Sequence, residues 1–319
     1  MSAFFRQARV VIVVGKGGVG KTTASAALAR AASLAGMSSL VVEIEGKGGL
    51  ASAFEHSGEL DYREVVLHAG DPGKGEGEVR GRTLRADEAL VEYLEEHAMG
   101  RLSKRLLSAG AIDVVATAVP GIKDILVLGK IKQLEREHRA DLIVLDAPAS
   151  GHAISFLAGA GSLLDAVRAG PIRAQAQDVV DLLTDEARCQ VLVVTMAEEM
   201  PVNEAAEVAA AVEDRVGAHL GPVVVNGVYP RRSLPRGTSA TALAEERSVH
   251  LRPGEAEALD DAARARLGRH ELQEHHLSRL GRLLPLPQVI LPFLFTASVG
   301  RAELDLLAHA MADGLDRVA

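Results

Sequence analysis

The chain has 319 residues, of which 48% are apolar, and a formal net charge of −8. This length and composition can form one large α/β domain or two modest ones, and the acidic balance excludes a general nucleic-acid binder, so no nucleic-acid partner is expected. The single cysteine, Cys189, excludes an intramolecular disulfide and a thiolate-rich metal site made by this chain alone. Because the first ten residues carry no export signal, we expect a cytoplasmic protein.

Short β-branched apolar runs alternate with helical patterns along the chain. The runs cover residues 10–14, 39–44, 141–146, 190–195, 222–226 and 288–293. Apolar runs without polar alternation are typical of strands that are buried on both faces. The pattern therefore predicts an α/β fold with a doubly wound, mostly parallel sheet and helices on both sides.

Several intervals between these runs are longer than a minimal crossover. Residues of about 84–138 and 153–187 have helical periodicity, and we interpret them as one inserted helical subdomain over the end of the sheet where nucleotide loops lie. Residues 68–84 fit either a flexible loop or a hairpin with an exposed charged tip. The polar stretch 231–256 predicts a mobile surface segment, and a last helix is expected over 299–317.

The stretch GKGGVGKTT lies between the first predicted strand and an alanine-rich helical pattern. Its glycines let the backbone close around phosphates, Lys21 provides a cation for the β- and γ-phosphates, and Thr22 provides a hydroxyl for Mg²⁺. This context predicts a phosphate-binding loop for a nucleotide. The expected nucleotide-binding residues of the loop are Gly15, Lys16, Gly17, Gly18, Val19, Gly20, Lys21, Thr22 and Thr23.

The loop contains a second lysine, Lys16, directly after its first glycine. From the start of the loop this side chain can project outward instead of over the phosphates of its own subunit. Facing a second subunit, it could reach the partner's nucleotide and stabilise the charge that develops in the transition state. The alternative is a solvated surface lysine.

The predicted strand over 141–146 ends in Asp146. A carboxylate at this position suits a ligand that reaches Mg²⁺ through water, and the alternative is a helix N-cap. Pro148, Gly151 and His152 follow, and they predict a loop that changes shape with the γ-phosphate.

Three motifs carry a resemblance to a known family. GKGGVGKTT is similar to the deviant phosphate-binding loop of the arsenite-pump, septum-site and plasmid-partition ATPases and of the nitrogenase iron protein. LIVLDAPASGHAISFL (142–157) resembles switch II of the arsenite-pump (ArsA) and tail-anchored-protein targeting ATPases, and VPGIKDILVLGKI (119–131) resembles a segment of their helical subdomain. The chain is identified as a member of that family from residue 8 to about residue 310.

The resemblance implies a single P-loop ATPase domain over residues 1–319 that binds ATP and Mg²⁺. It implies that Lys16 acts across a nucleotide-sandwich dimer, which is either a homodimer or a heterodimer with a related ATPase. It also implies that Glu198 and Asn226 contact the base, since an asparagine amide pairs with both a donor and an acceptor on adenine. The expected client is a protein or a membrane-associated partner, with membrane proteins included.

The chain departs from the family in switch I, where an aspartate–proline pair positions the attacking water. Glu45 and Gly46 occupy the matching positions. A glutamate can orient water, but its extra methylene displaces the carboxylate, and a misplacement of that order lowers the rate. We therefore expect slow hydrolysis with Lys16 and Glu45 as the catalytic residues. The alternative is a nucleotide-binding regulatory subunit with little turnover that pairs with a more active relative.

The chain also lacks two cysteine sites of the family. A zinc-binding C-x-x-C pair and the thiols of an arsenite site both need more than the one cysteine that is present. Activation by arsenite is therefore not expected, and Cys189 is interpreted as a small core residue.

Overall fold

The computed structural model describes residues 4–6, 8–44, 49–96, 121–231 and 239–318. Within these residues one sheet contains eight strands: β1 Val10–Val14, β2 Ser39–Ile44, β3 Val65–His68, β4 Val79–Leu84, β5 Leu142–Asp146, β6 Cys189–Met196, β7 Val223–Val228 and β8 Gln288–Pro292. Their order is β3-β4-β2-β5-β1-β6-β7-β8, and neighbours are parallel except for β3 and β4. The predicted α/β fold with a mostly parallel sheet is confirmed.

Helices cover both faces of the sheet. In the described residues they are α1 Lys21–Leu34, α2 Gly49–Ala53, α3 Ala86–Glu96, α4 Ile122–Arg136, α5 Ser150–Ala166, α6 Pro171–Leu183, α7 Glu199–Ala211, α8 Ala240–Glu246, α9 Glu255–Leu283 and α10 Arg301–Val318. A π-helical turn, Val212–Val216, continues α7. No helix in this part of the chain combines the length and the apolar character that crossing a membrane requires.

Strand β1 shows how one apolar run supplies two cores. Val10, Ile12 and Val14 belong to the core that includes residues of α4 to α7, whereas Val11 and Val13 belong to the core with α1 and α10. Successive side chains of a strand point to opposite faces, so a strand that is covered on both faces is apolar throughout. The place of β1 between β5 and β6 in the strand order puts the loop after β1 near the middle of the sheet, at the carboxyl ends of its strands.

The stretch 68–84 forms a hairpin, one of the two alternatives that its sequence allowed. Strand β3 pairs antiparallel with β4, and β4 pairs parallel with β2. The charged tip is not fully exposed, because Arg30 of α1 donates to Glu76 at 2.9 Å and to Asp305 of α10 at 2.7 Å. The ion pair of Arg30 with Glu76 ties the hairpin to the helix layer. The hydrogen bond from Arg30 also holds the pKa of the Glu76 carboxyl below its usual range.

The stretch 231–256, predicted as a mobile surface segment, is largely exposed and contains helical structure in the part that the structure describes. Helix α8 lies in this stretch and begins after Ser239, whose hydroxyl accepts a hydrogen bond from the backbone of Ala242 at 3.2 Å. Helix α9 begins at Glu255. The helices escaped the prediction because they are largely exposed, so their sequence lacks the apolar stripe that reveals a packed helix. Residues 232–238 lie outside the described residues.

The two intervals of helical periodicity contain α3 to α6. Helix α4 packs against α3, α5 and α6. Its buried Lys130 donates to Glu92 of α3 at 2.6 Å, and its buried Lys132 donates to Asp178 of α6 at 2.8 Å. Residues 97–120 lie outside the described residues, and the grouping of these helices into one subdomain, like the single domain over 1–319, stays a prediction.

Candidate functional site

The loop between β1 and α1 depends on close backbone approach at two glycines. Gly15 has a φ of 148°, and a β-carbon there would collide with the carbonyl oxygen of Val194 in the neighbouring strand β6. Gly20 has a φ of 88°, and a β-carbon there would collide with the side-chain amide of Asn226. Residues with side chains rarely adopt these conformations. The loop therefore lies flat against β6 and β7 and leads directly into the N-terminus of α1, where backbone N–H groups favour anions.

Lys21, the first residue of α1, is largely buried, and its Nζ donates to the carbonyl oxygen of Lys16 at 3.1 Å. The loop thus curves around a lysine ammonium. A ring of glycine-rich backbone, a cation and a helix N-terminus together form an arrangement that suits phosphate oxygens. The sequence-predicted loop residues are brought together as one cradle.

Thr22 and Asp146 meet at the base of this cradle. The Thr22 hydroxyl donates to Asp146 Oδ2 at 2.7 Å, and the Ser25 hydroxyl lies 3.4 Å from Asp146 Oδ1. Asp146 is 1% exposed and ends β5, which pairs with β1. A hydroxyl and a carboxylate oxygen are the hard donors that Mg²⁺ prefers, so this donor set fits a nucleotide-bound magnesium ion.

The surroundings of Asp146 correct one expectation and resolve one alternative. The residue at the N-cap of α5 is Ala149, so Asp146 is not a helix cap. Gly151 and His152 lie in the first turn of α5, which begins at Ser150, and not in a loop as predicted. Small residues after Pro148 indicated a turn, but the apolar face of the following segment packs into the core and extends the helix to this point.

Two groups near Asp146 were not among the predicted site residues, although the sequence offers one of them, Glu43, as a carboxylate that could position the water in place of Glu45. Ser25 lies three residues after Thr22, on the same helix face, so helical spacing alone was a usable signal. Glu43 is fully buried in β2 beside Asp146 in β5, and its Oε1 accepts from the Thr83 hydroxyl at 2.8 Å. A glutamate in an otherwise apolar strand was the signal in this case, because buried carboxylates need specific partners.

Lys16 forms an ion pair inside its own subunit. Its Nζ donates to Glu204 Oε1 of α7 at 2.6 Å, and the two side chains are 35% and 26% exposed. Lys16 is therefore neither a freely solvated lysine nor directed at its own loop. No sequence signal pointed to Glu204, which is 188 positions away.

Asn226 lies inside β7, and Glu198 lies between the end of β6 and the start of α7. Asn226 belongs to β7 and donates from Nδ2 to the carbonyl oxygen of Val19 at 3.0 Å. Glu198 directly precedes α7 and accepts from Arg269 of α9 at 2.6 Å. The structure thus brings Asn226 into contact with the cradle, whereas the Glu198 side chain contacts the long helix α9.

The family model for anion-transporting ATPases matches residues 8–169, which contain the cradle, Thr22 and Asp146. This chain belongs to the anion-transporting (ArsA) ATPase family. ATPase BagA of Mycobacterium tuberculosis is 32% identical over 255 residues, which are 77% of this chain and 73% of that protein. ATPase get3 of Schizosaccharomyces japonicus is 27% identical over 147 residues, which are 46% of this chain and 42% of that protein. The arsenite-pump and targeting ATPase resemblance of the sequence is confirmed.

The switch I residues of this ArsA-family member, Glu45 and Gly46, lie outside the described residues. The described chain ends at Ile44, the last residue of β2, and resumes at Gly49. A β-carbon on Gly49 would lie 3.0 Å from Thr22 Cγ2. The chain therefore re-enters the described structure in direct contact with the cradle.

Cys189 of this ArsA-family member is completely buried at the start of β6, and burial raises the pKa of its thiol to about 12. We expect an alkylating reagent at pH 8 to modify the native protein at least about 100-fold more slowly than the urea-unfolded chain, since only the exposed thiolate reacts. Mass spectrometry of timed samples measures both rates. Equal rates would contradict the burial, and the unfolded chain is the matched control.

Proposed function

We propose that this ArsA-family protein is a Mg²⁺-dependent ATPase that hydrolyses ATP slowly as a nucleotide-gated dimer in the cytosol. The observation that carries the proposal is the contact of the Thr22 hydroxyl with the buried Asp146 carboxylate at 2.7 Å, at the start of the helix that follows a glycine cradle. This contact places the oxygen atoms that suit Mg²⁺ next to the backbone and the lysine that suit phosphate. The single cysteine fits a reducing compartment.

Each residue of the cradle has a separate proposed task. Residues 15–23 bind the phosphates, with Lys21 as their principal cation. Thr22 and Asp146 would hold Mg²⁺, which would neutralise phosphate charge. Asn226 and Glu198 contact the base.

Hydrolysis itself needs two further groups. We assign Lys16 of one subunit to the nucleotide of the other, where its charge stabilises the transition state. Glu45 orients the attacking water, a role that is supported by the family position of switch I and by the return of the chain beside Thr22 at Gly49.

The partner of the dimer is a second copy of the chain or a related ATPase. Nucleotide-driven closure of such a dimer would engage a protein or membrane-associated client, and membrane proteins are included. The net charge of −8 argues against a nucleic-acid partner.

A second function is favoured by Glu45 and Gly46 in place of the family's aspartate–proline pair. With the water-positioning carboxylate displaced, the chain would bind ATP but turn over very little, and it would serve as a regulatory subunit for a more active relative. Steady-state hydrolysis, measured alone and with co-purifying relatives, separates the two functions.

The Glu45→Gln variant tests the proposed reaction. We expect the wild type to release about one phosphate per minute or less, against an enzyme median of about 10 per second. Glu45→Gln should keep the ATP affinity and lower phosphate release about 100-fold, because the amide has nearly the same size without the charge. The measurement is phosphate release at saturating Mg-ATP.

Two variants make this measurement interpretable. Glu59→Gln, at an exposed position in the loop after α2, should hydrolyse ATP like the wild type. Glu45→Asp tests the carboxylate length that the family uses. If Glu45→Gln matches the wild type, another group positions the water, and a wild-type rate no higher than that of Lys21→Ala favours the regulatory subunit.

A further inference from the structure

The ion pair between Lys16 and Glu204 connects the phosphate loop to the helix that follows β6. Lys16 Nζ and Glu204 Oε1 are 2.6 Å apart, and neither side chain is more than 35% exposed. The two elements are neighbours because β1 and β6 pair in parallel, with Val14 opposite Val193. The pair therefore forms wherever the sheet order forms and needs no nucleotide.

Glu204 is the fixed member of the pair. Its helix α7 is packed into the core through residues on one face, which are Val202, Ala205, Val208 and Ala209. The adjacent Asn203 accepts a hydrogen bond from Arg279 of α9 at 2.5 Å, so α7 is also held from the side of the long helix. Lys16 has a flexible four-carbon stem. When the pair breaks, the lysine moves and the carboxylate stays.

We propose that Glu204 is a positioning residue for Lys16: it holds the lysine on its own subunit until the phosphates of the partner's nucleotide compete for it. This inference rests on the proposed action of Lys16 across the dimer. The proposal requires that reaching the partner's phosphates draws the Lys16 ammonium beyond hydrogen-bond distance of Glu204, so that each closure of the dimer breaks the Lys16–Glu204 pair. Phosphate oxygens at a closed interface would carry more charge in a less polar medium than the partly exposed Glu204 carboxylate, and they would win the competition. Glu204 thus raises the nucleotide concentration that closure requires and recaptures Lys16 on opening.

The test compares Glu204→Gln, Lys16→Ala and the double variant by sedimentation velocity at increasing Mg-ATP concentration. Glu204→Gln should lower the Mg-ATP concentration for half-maximal association about threefold, because a symmetric dimer releases two lysines and binds two nucleotides. In the Lys16→Ala background the same substitution should change nothing. A purely structural role of Glu204 would give the same shift in both backgrounds.

Two further variants act as controls. Glu204→Asp keeps the negative charge and should lie close to the wild type. Glu207→Gln removes an exposed glutamate one turn further along the same helix and should leave association unchanged. Equal melting temperatures across the set would show that α7 remains folded.

The outcomes separate this inference from the proposed function. If Lys16→Ala associates like the wild type, or if the wild type stays monomeric with Mg-ATP alone and with every co-purifying relative, the action of Lys16 across the dimer is wrong and the inference falls with it. If Lys16→Ala weakens association while Glu204→Gln matches the wild type, only the positioning role is wrong. If Glu204→Gln lowers the Mg-ATP concentration for association equally in the Lys16→Ala background, the positioning role is also wrong.

Discussion

Replacing Lys21 by alanine should weaken Mg-ATP binding about 100-fold, which corresponds to about 3 kcal/mol. The Lys21 ammonium lies inside the glycine cradle, 3.1 Å from the carbonyl oxygen of Lys16, and it is largely shielded from water. A charged hydrogen bond to phosphate gains strength in such a place, because little solvent screens it. The variant removes the charge without touching the glycines, so the cradle keeps its backbone shape.

Isothermal titration calorimetry with Mg-ATP measures this loss directly. Lys74→Ala removes an exposed lysine from the hairpin tip and serves as the matched control, with an affinity equal to that of the wild type. Lys21→Met separates charge from volume, because methionine fills most of the space but donates no hydrogen bond. Equal ATP affinity for the wild type and Lys21→Ala would contradict the assignment of the cradle.

Replacing Lys16 by alanine should have the opposite signature: nearly unchanged ATP affinity for the monomer, but turnover lowered on the order of 100-fold. In the described structure Lys16 binds Glu204 of its own subunit and not its own cradle, so its loss removes no contact to the bound nucleotide of that subunit. The cost appears only in the dimer, where the partner's transition state loses a cation.

Single-turnover phosphate release and light scattering with Mg-ATP measure the two effects of Lys16→Ala. Lys74→Ala is again the control. Lys16→Arg keeps the charge with a different shape and should recover part of the turnover. If the Lys16→Ala variant hydrolyses ATP and associates like the wild type, while Lys21→Ala no longer binds ATP, Lys16 has no role across an interface.

The strands show where local pattern was sufficient and where it was not. Strands β1, β2, β5, β6, β7 and β8 match six predicted apolar runs with ends that differ by at most two residues. Strand β4 contains Arg80 and Arg82, and the sequence predicted it only as part of a hairpin over 68–84 that was one of two alternatives. It becomes a strand because β2 offers it a parallel partner and Tyr62 covers the Arg82 guanidinium at 4.5 Å. Those partners come from distant parts of the chain and leave no mark on the local pattern.

The phosphate cradle could be predicted from the sequence because the features that define it lie close together in the chain. The positive φ angles at Gly15 and Gly20, the lysine that starts α1 and the hydroxyl next to it depend on one short stretch of backbone. Glycine identity and spacing are sufficient to specify such a loop, and the structure places its residues together as the sequence predicted.

The pairing of distant side chains was decided by tertiary structure alone. Thr22 meets Asp146 across 124 positions, and Lys16 meets Glu204 across 188. Both pairs exist because β1 lies between β5 and β6 in the sheet, so the loop after β1 lies beside the carboxyl ends of both neighbouring strands. Burial of apolar strands drives the sheet to form but is non-directional, so an apolar run does not specify its neighbours. The chemistry of the loop is therefore determined by the sequence, whereas the carboxylates that position its hydroxyl and its second lysine are determined by the order of the strands.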